Sequence, residues 1–258
     1  MKTKVCSLYS GSSGNSFLIG SGEDYILIDA GRNAKALCGA ITACGYDPDR
    51  VRAIFITHEH GDHISALPVF LKNHPVPVHI VAISAARLEC NKTVAPLLVP
   101  HPPVFCEEIG PFIVTSFPTP HDSRASVGYR VEIHGEDGVF RVGYATDIGR
   151  VTEAVEAGLT GCDAVILESN HDPEMLENGN YPEDLKRRIR SDRGHLADPD
   201  CAALAAKLAG SGTGHIMLAH LSRENNTPEI AYAETMGAIA GGQTTLCVAS
   251  PEEITVLI

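Results

Sequence analysis

Apolar and polar positions along the chain follow two periods. Short apolar runs with the length of buried strands fall at Lys4–Leu8, Ser16–Ile19, Tyr25–Ile28, Ala53–Ile56, Val78–Val81, Phe112–Phe117, Ser126–Ile133, Val139–Ala145, Ala164–Glu168, His215–Ala219, Thr245–Val248 and Glu253–Leu257. Segments with helical spacing fall at Ala34–Ala43, Ile64–Asn73, Ile83–Cys90, Val151–Ala157, Pro182–Arg190, Pro199–Ala209 and Pro228–Ala240. The two kinds interleave from end to end, which predicts an α/β, layered architecture. No repeat, low-complexity tract or linker interrupts them, so residues 1–258 read as a single domain. Asp198-Pro199 and Thr227-Pro228 each place a capping side chain before Pro, the signature of a helix opening.

The junctions that follow the strands carry the chemistry. Ala53–Ile56 runs into Thr57-His58-Glu59-His60-Gly61-Asp62-His63, and Phe112–Phe117 leads to His121-Asp122. Val139–Ala145 leads to Thr146-Asp147, Ala164–Leu167 to Glu168-Ser169-Asn170-His171, and His215–Ala219 to His220. Apolar runs thus repeatedly deliver His, Asp or Glu at their C-terminal ends, the edge where ligands bind in open α/β sheets.

His58 and His60 stand two apart, so in extended backbone they point the same way and can share one ion. Gly61 lets the chain turn, after which Asp62 and His63 can face a second ion. His121 completes the first set in this reading and His220 the second, with Asp147 as a carboxylate bridging both. Neutral imidazole with carboxylate suits two divalent ions, and the donor set is compatible with Zn, Mn or Fe. The bland readings are a solvated polar loop at 58–63, a helix cap at Asp147 and hydrogen-bonded structural histidines at His121 and His220. His74, His79, His101, His134 and His215 lie outside the strand-end pattern and read as structural or exposed.

Composition narrows the setting. The chain has 258 residues and a formal net charge of −12, which argues against a protein that coats nucleic acid non-specifically but not against a nuclease with a local basic patch. The one basic cluster, Lys186-Arg187-Arg188-Ile189-Arg190-Ser191-Asp192-Arg193, reads as a backbone track or as a solvated helix face. No apolar run approaches a membrane span and the first residues show no signal-peptide core, so no membrane partner is expected. The eight Cys are scattered without a Cys-x-x-Cys pair, which reads as reduced, mostly buried thiols in a cytoplasmic protein.

Tyr25-Ile26-Leu27-Ile28-Asp29-Ala30-Gly31 followed by the 57–63 segment resembles the metallo-β-lactamase superfamily, and the order His121, Asp147, His220 extends the likeness. The resemblance implies an αββα sandwich of two mixed β-sheets with outer helices and a two-metal site at one sheet edge. It also implies that Asp29 supports the ligand loop rather than binding metal. Ser7–Ser16, Pro118–Asp122, Ala145–Gly149, Leu167–Asp172 and His220–Asn226 are similar to the YycJ (WalJ/VicX) group near the ribonuclease Z and J branch. That likeness implies phosphodiester hydrolysis, with DNA or another phosphodiester as substrate and DNA exonuclease as the type of activity. Asp62, His195 and Glu168 form the catalytic set it implies: by similarity to ribonuclease Z, His195 gives the leaving oxygen its proton and Glu168 orients it. The alternative makes Glu168 a buried partner of Arg and His195 a helix cap. The segment Gly194-His195-Leu196-Ala197-Asp198 departs from the group, which has Ser-Asn after the Leu. Ser10, Ser12, Ser13 and Asn15, in a Gly-rich turn, are candidate substrate contacts through an anion nest, or else a plain Ser/Gly turn. His171, with Asn170, is a further candidate contact. A hydrolase of a small substrate (cyclic phosphodiester, thioester or lactone) and a non-catalytic, metal-stabilised regulatory protein are the competing functions.

Overall fold

The structure is a computed structural model that describes residues 3–136, 138–239 and 241–258. One sheet carries β1 (Thr3–Tyr9), β2 (Ser16–Ser21), β3 (Asp24–Ile28), β4 (Val51–Phe55), β5 (Val78–Val81) and β6 (Leu98–His101) in chain order. The other carries β7 (Cys106–Ile109), β8 (Phe112–Thr119), β9 (Ser126–Gly135), β10 (Gly138–Ala145), β11 (Ala164–Glu168), β12 (His215–Ala219) and β13 (Thr245–Val248), and β14 (Thr255–Val256) returns to flank β1. Strands β1 to β3 and β7 to β10 pair antiparallel; β3 to β6 and β10 to β13 pair parallel, so both sheets are mixed.

The strand period explains the layering. In β3, Ile26 and Ile28 enter the core between the sheets while Tyr25 and Leu27 face the helices α1 (Ala34–Ala43) and α3 (Leu67–Asn73). In β11, Ile166 faces the inter-sheet core, whereas Val165 and Leu167 pack with α5 (Glu153–Leu159) and α8 (Asp198–Gly210). Both faces are covered, so these strands read as continuous apolar runs. The result is the αββα sandwich that the resemblance implied. Among the described residues no helix is long and apolar enough to cross a membrane.

Several expectations need correction. The helix expected at Ile64–Asn73 is two, α2 (Gly61–Ile64) and α3, because Pro68 lacks the N–H that would bond back to Ile64 and instead starts a new helix. Ile83–Cys90 shrinks to α4 (Ala82–Ala85) followed by turns. Strands β6 and β7 were not expected; both are edge strands with half-polar sequences, and β6 contains Pro100. Helix α6 (Pro173–Asn178), capped by Asp172, precedes α7 (Glu183–Ile189) and was not expected either. Thr227 caps α9 (Pro228–Ala238) as expected, its Oγ1 accepting from the Ile230 N–H; Ala240, the expected last residue of that helix, lies outside the described residues. Asp198 is not a cap. It is the first residue of α8, and its Oδ1 accepts from Ser169 Oγ at 2.6 Å and Asn226 Nδ2 at 2.9 Å. All eight Cys are free, but only Cys6, Cys44, Cys162 and Cys201 are buried.

Candidate metal centre and its surroundings

Most candidate side chains follow strand ends at one edge of the sandwich, while Asp62 and His63 sit on α2 and His195 lies between α7 and α8. Strands β8 and β10 both run antiparallel to β9, so their C-terminal ends share an edge with those of β11 and β12. That edge meets the C-terminal ends of β3 and β4 from the other sheet. Asp29, Asp147 and His220, each just past a strand end, adopt left-handed backbone with φ of 62°, 57° and 59°. Such backbone is costly for non-glycine residues and persists where the surroundings impose it. It turns the chain sharply at the positions where the ligand-type side chains converge.

The histidines and carboxylates gather into two overlapping groups. Ligand atoms of His58, His60 and His121 lie within 4.8 Å of one another, as do those of Asp62, His63 and His220. Asp147 stands between them: Oδ2 is 3.4 Å from His63 Nε2, and Oδ1 is 3.8 Å from His121 Nε2 and 3.5 Å from His220 Nε2. Neighbouring donors around an ion held at about 2.0–2.1 Å in tetrahedral geometry lie about 3.4 Å apart, close to these spacings. His58 Nε2, Asp147 Oδ2 and His220 Nε2 are buried without any hydrogen-bond partner. Unpartnered buried polar atoms are expensive, and divalent ions held by the two groups would satisfy them. The donor set therefore fits divalent metal.

The surrounding bonds hold the ligands. Asp29 is fully buried; it accepts from the Thr57 N–H at 2.8 Å and from His63 Nδ1 at 2.8 Å, which leaves His63 Nε2 toward Asp62 and Asp147. Glu168, also fully buried, lies 2.7 Å from His195 Nδ1 and 3.2 Å from His220 Nδ1, while its second oxygen accepts from the Ile148 N–H at 2.7 Å. No arginine pairs with it among the described residues. Gly31 is required by close approach: a Cβ there would stand 1.9 Å from the Asp62 carbonyl oxygen.

The Ser10–Ser16 turn divides by burial. Ser10 Oγ accepts from the His220 N–H at 2.8 Å, and Asn15 Nδ2 donates to Asp62 Oδ2 at 3.3 Å, so both are spent on holding the ligand loops. Ser12 and Ser13 are exposed, and Ser13 Oγ accepts from Arg223. His171 is buried, with its Nδ1 unpartnered, and Asn170 Nδ2 donates to the His220 carbonyl at 2.8 Å. The basic cluster is largely committed: Arg188 pairs with Asp122 and Arg190 with Glu177, Lys186 is buried, and Arg193 Nε donates to the His121 carbonyl at 2.8 Å. Sequence reasoning missed Thr57, which anchors Asp29, and Glu59, whose Oε1 accepts from the Arg124 N–H at 2.8 Å. Only their position inside the His-rich segment hinted at this.

Charge balance explains the protonation pattern without metal. Burial opposes the charged form of His220, yet Asp147, Asp62 and Glu168 push it up to about 10. Burial likewise opposes a charged His63, but Asp29, Asp147 and Asp62 hold it well above the ordinary value. Burial and the neighbouring His63 keep His58 well below it, so His58 is neutral and ready to donate a lone pair. Protons on His63 and His220 thus supply the positive charge that a cation would bring.

This combination of sandwich and edge cluster defines a class: the chain belongs to the metallo-β-lactamase superfamily, whose profile (Metallo-beta-lactamase superfamily) matches residues 9–149. It is 33% identical over 228 residues to Exodeoxyribonuclease YycJ of Bacillus anthracis, covering 87% of this chain and 84% of that protein. It is 32% identical over 241 residues to Exodeoxyribonuclease WalJ of Streptococcus pneumoniae serotype 2, covering 92% and 88%. In fold it matches the metallo-β-lactamase fold protein YhfI of Bacillus subtilis with a TM-score of 0.72 at 19% identity, over 99% of this chain and 100% of the other.

Proposed function

We propose that residues 1–258 form one metal-dependent phosphodiesterase domain that acts on DNA as an exonuclease. The observation that carries this reading is the convergence of seven ligand-type side chains, with unpartnered buried atoms, beside a histidine oriented by a buried carboxylate. The names of the bacterial relatives support DNA as the polymer. His58, His60 and His121 would hold one divalent ion, Asp62, His63 and His220 a second, with Asp147 shared; Zn, Mn and Fe all suit these donors. Bound ions would supply positive charge for the phosphate and a water ionised near neutral pH.

The chain's own groups do the rest. With His195 Nδ1 donating to Glu168, the imidazole keeps its other nitrogen, Nε2, for a substrate. In this reading the Nε2 proton passes to the leaving oxygen as the P–O bond breaks, and Glu168 stabilises the charged ring beforehand. Asp62, whose side chain is 25% exposed, is the ligand carboxylate nearest solvent and takes the proton of the attacking water. Ser12 is the turn residue left free to meet a phosphate. Free thiols and a DNA substrate support a reducing, cytoplasmic setting. The test is hydrolysis of linear and plasmid DNA, single-stranded DNA, RNA and a chromogenic phosphodiester by protein loaded with Mn²⁺ or Zn²⁺. Degradation of DNA from its ends is the expected result; activity on the small ester alone would overturn the nuclease reading.

A further inference from the structure

Three openings border the ligand cluster; one of about 530 Å³ is lined by His121, and the other two meet the cluster at different ends. The larger, about 670 Å³, borders His60 and Asp62 and is lined by Arg87, Arg124 and Arg188 together with Glu59. The smaller, about 160 Å³, borders His195 and His220. Tyr181, Leu185, Ile189 and Leu221 line this cleft, with the polar side chains of Ser12 and Asn170 also facing it. Arg188 and its partner Asp122 stand beside both histidine-lined ends, since Arg188 lines each opening.

We infer that the small cleft receives the terminal nucleoside of a DNA strand, while the arginine-lined mouth carries the phosphates of the rest. The assignment rests on the phosphodiesterase reading above. Its first support is chemical. An aromatic residue with apolar neighbours suits the face of a planar base, and the Asn170 amide suits its polar edge. Its second support is size: at about 160 Å³ the cleft falls well below the ~300–1,000 Å³ of pockets that enclose whole ligands, so it has room for one base and not for a second. Its third support is charge. On a chain of net charge −12, this mouth gathers three arginines beside Glu59 and Asp62; Arg188 pairs with Asp122, while among the described residues Arg87 and Arg124 form no ion pair. An extended polyanion matches that mouth, whereas a small neutral ester would make no use of it. The fourth is continuity: His195 lines the cleft, so a nucleoside seated there puts its sugar oxygens beside the proposed proton donor. Hydrolysis adds the water oxygen to phosphorus and breaks the P–O bond to the leaving sugar oxygen, which takes the proton. A cleft for one nucleoside makes mononucleotides the product of every cycle.

The test has one arm without metal and one with it. Metal-free protein is titrated against single-stranded oligonucleotides carrying a fluorescent adenine analogue at either terminus in turn, or in the middle. Stacking on Tyr181 quenches the analogue at one terminus. Tyr181→Ala removes that quenching, Tyr181→Phe retains it, and the central analogue does not distinguish the proteins. In the metal-loaded arm, Tyr181→Ala raises KM for DNA roughly fivefold to a hundredfold, the loss of one base–aromatic stack. The first products of the metal-loaded wild type are mononucleotides. Equal quenching in Tyr181→Ala, or first products of two or more nucleotides, would overturn the assignment. Failure of the phosphodiesterase reading is separately visible as metal-loaded wild type that cleaves neither DNA nor the small diester; the quenching arm then still decides the cleft.

Discussion

Replacing Asp29 by Asn isolates the effect of one buried carboxylate on metal binding. Asn is nearly isosteric and tolerates the left-handed backbone at φ 62°, so the turn itself is not strained by the change. Asp29 Oδ1 accepts from the Thr57 N–H at 2.8 Å, and Asn Oδ1 can keep that bond. The amide NH₂ then replaces Oδ2, which now faces His63 Nδ1 at 2.8 Å. In the neutral ring that binds a cation, two donors cannot face one another, so the single His63 proton must sit on Nε2, the atom aimed at Asp62 and Asp147. A proton on that nitrogen competes with the cation. Loss of such an orienting partner lowers metal affinity by about 10–100-fold, or about 1.4–2.7 kcal/mol. Competition against a chromophoric chelator measures the affinity, and thermal unfolding of the metal-free protein checks the fold. An affinity within twofold of wild type, with an unchanged thermal transition, would refute the tautomer argument.

Four further outcomes are expected. His195→Ala lowers DNA turnover by about 10²–10⁴-fold while bound metal, measured by elemental analysis, stays at the wild-type level; loss of metal would make His195 a ligand instead. Metal binding at neutral pH releases close to two protons, from His63 and His220, read as a dependence of the calorimetric enthalpy on buffer ionisation; a buffer-independent enthalpy would contradict the charge balance. Because His220 is raised from 6.5 to about 10 in the metal-free fold, its contribution to stability is complete below pH 6.5 and is lost as pH rises through about 10. The Tm of the metal-free protein therefore falls across that window. Gly31→Ala places a Cβ 1.9 Å from the Asp62 carbonyl and costs about 3 kcal/mol, seen in denaturant unfolding; a loss under about 0.5 kcal/mol would show that the two loops part freely.

The core was legible because strands covered on both faces must be apolar throughout, and runs such as Tyr25–Ile28 and Ala164–Leu167 could be nothing else. The edge strands β6 and β7 were not, since an edge position relaxes the demand for apolar side chains and Leu98–His101 carries a proline and a histidine. Asp198 before Pro199 carries the local signature of a cap, yet Ser169 and Asn226, distant in sequence, claim its side chain and draw it into the helix. Glu168 could be paired with His195 by likeness alone; that it also reaches His220 follows only from β11 lying beside β12.

The sequence by itself determined which strands are buried and which short segment is rich enough in imidazole and carboxylate to attract a cation, because both depend on neighbours a few residues away. Only the tertiary structure decided that Asp147 stands between the two histidine groups, that Ser10 and Asn15 serve the ligand loops, and that Tyr181 borders His195. Those facts depend on the register of two facing sheets and on sharp turns at their shared edge, which are properties of contacts between residues far apart in the chain.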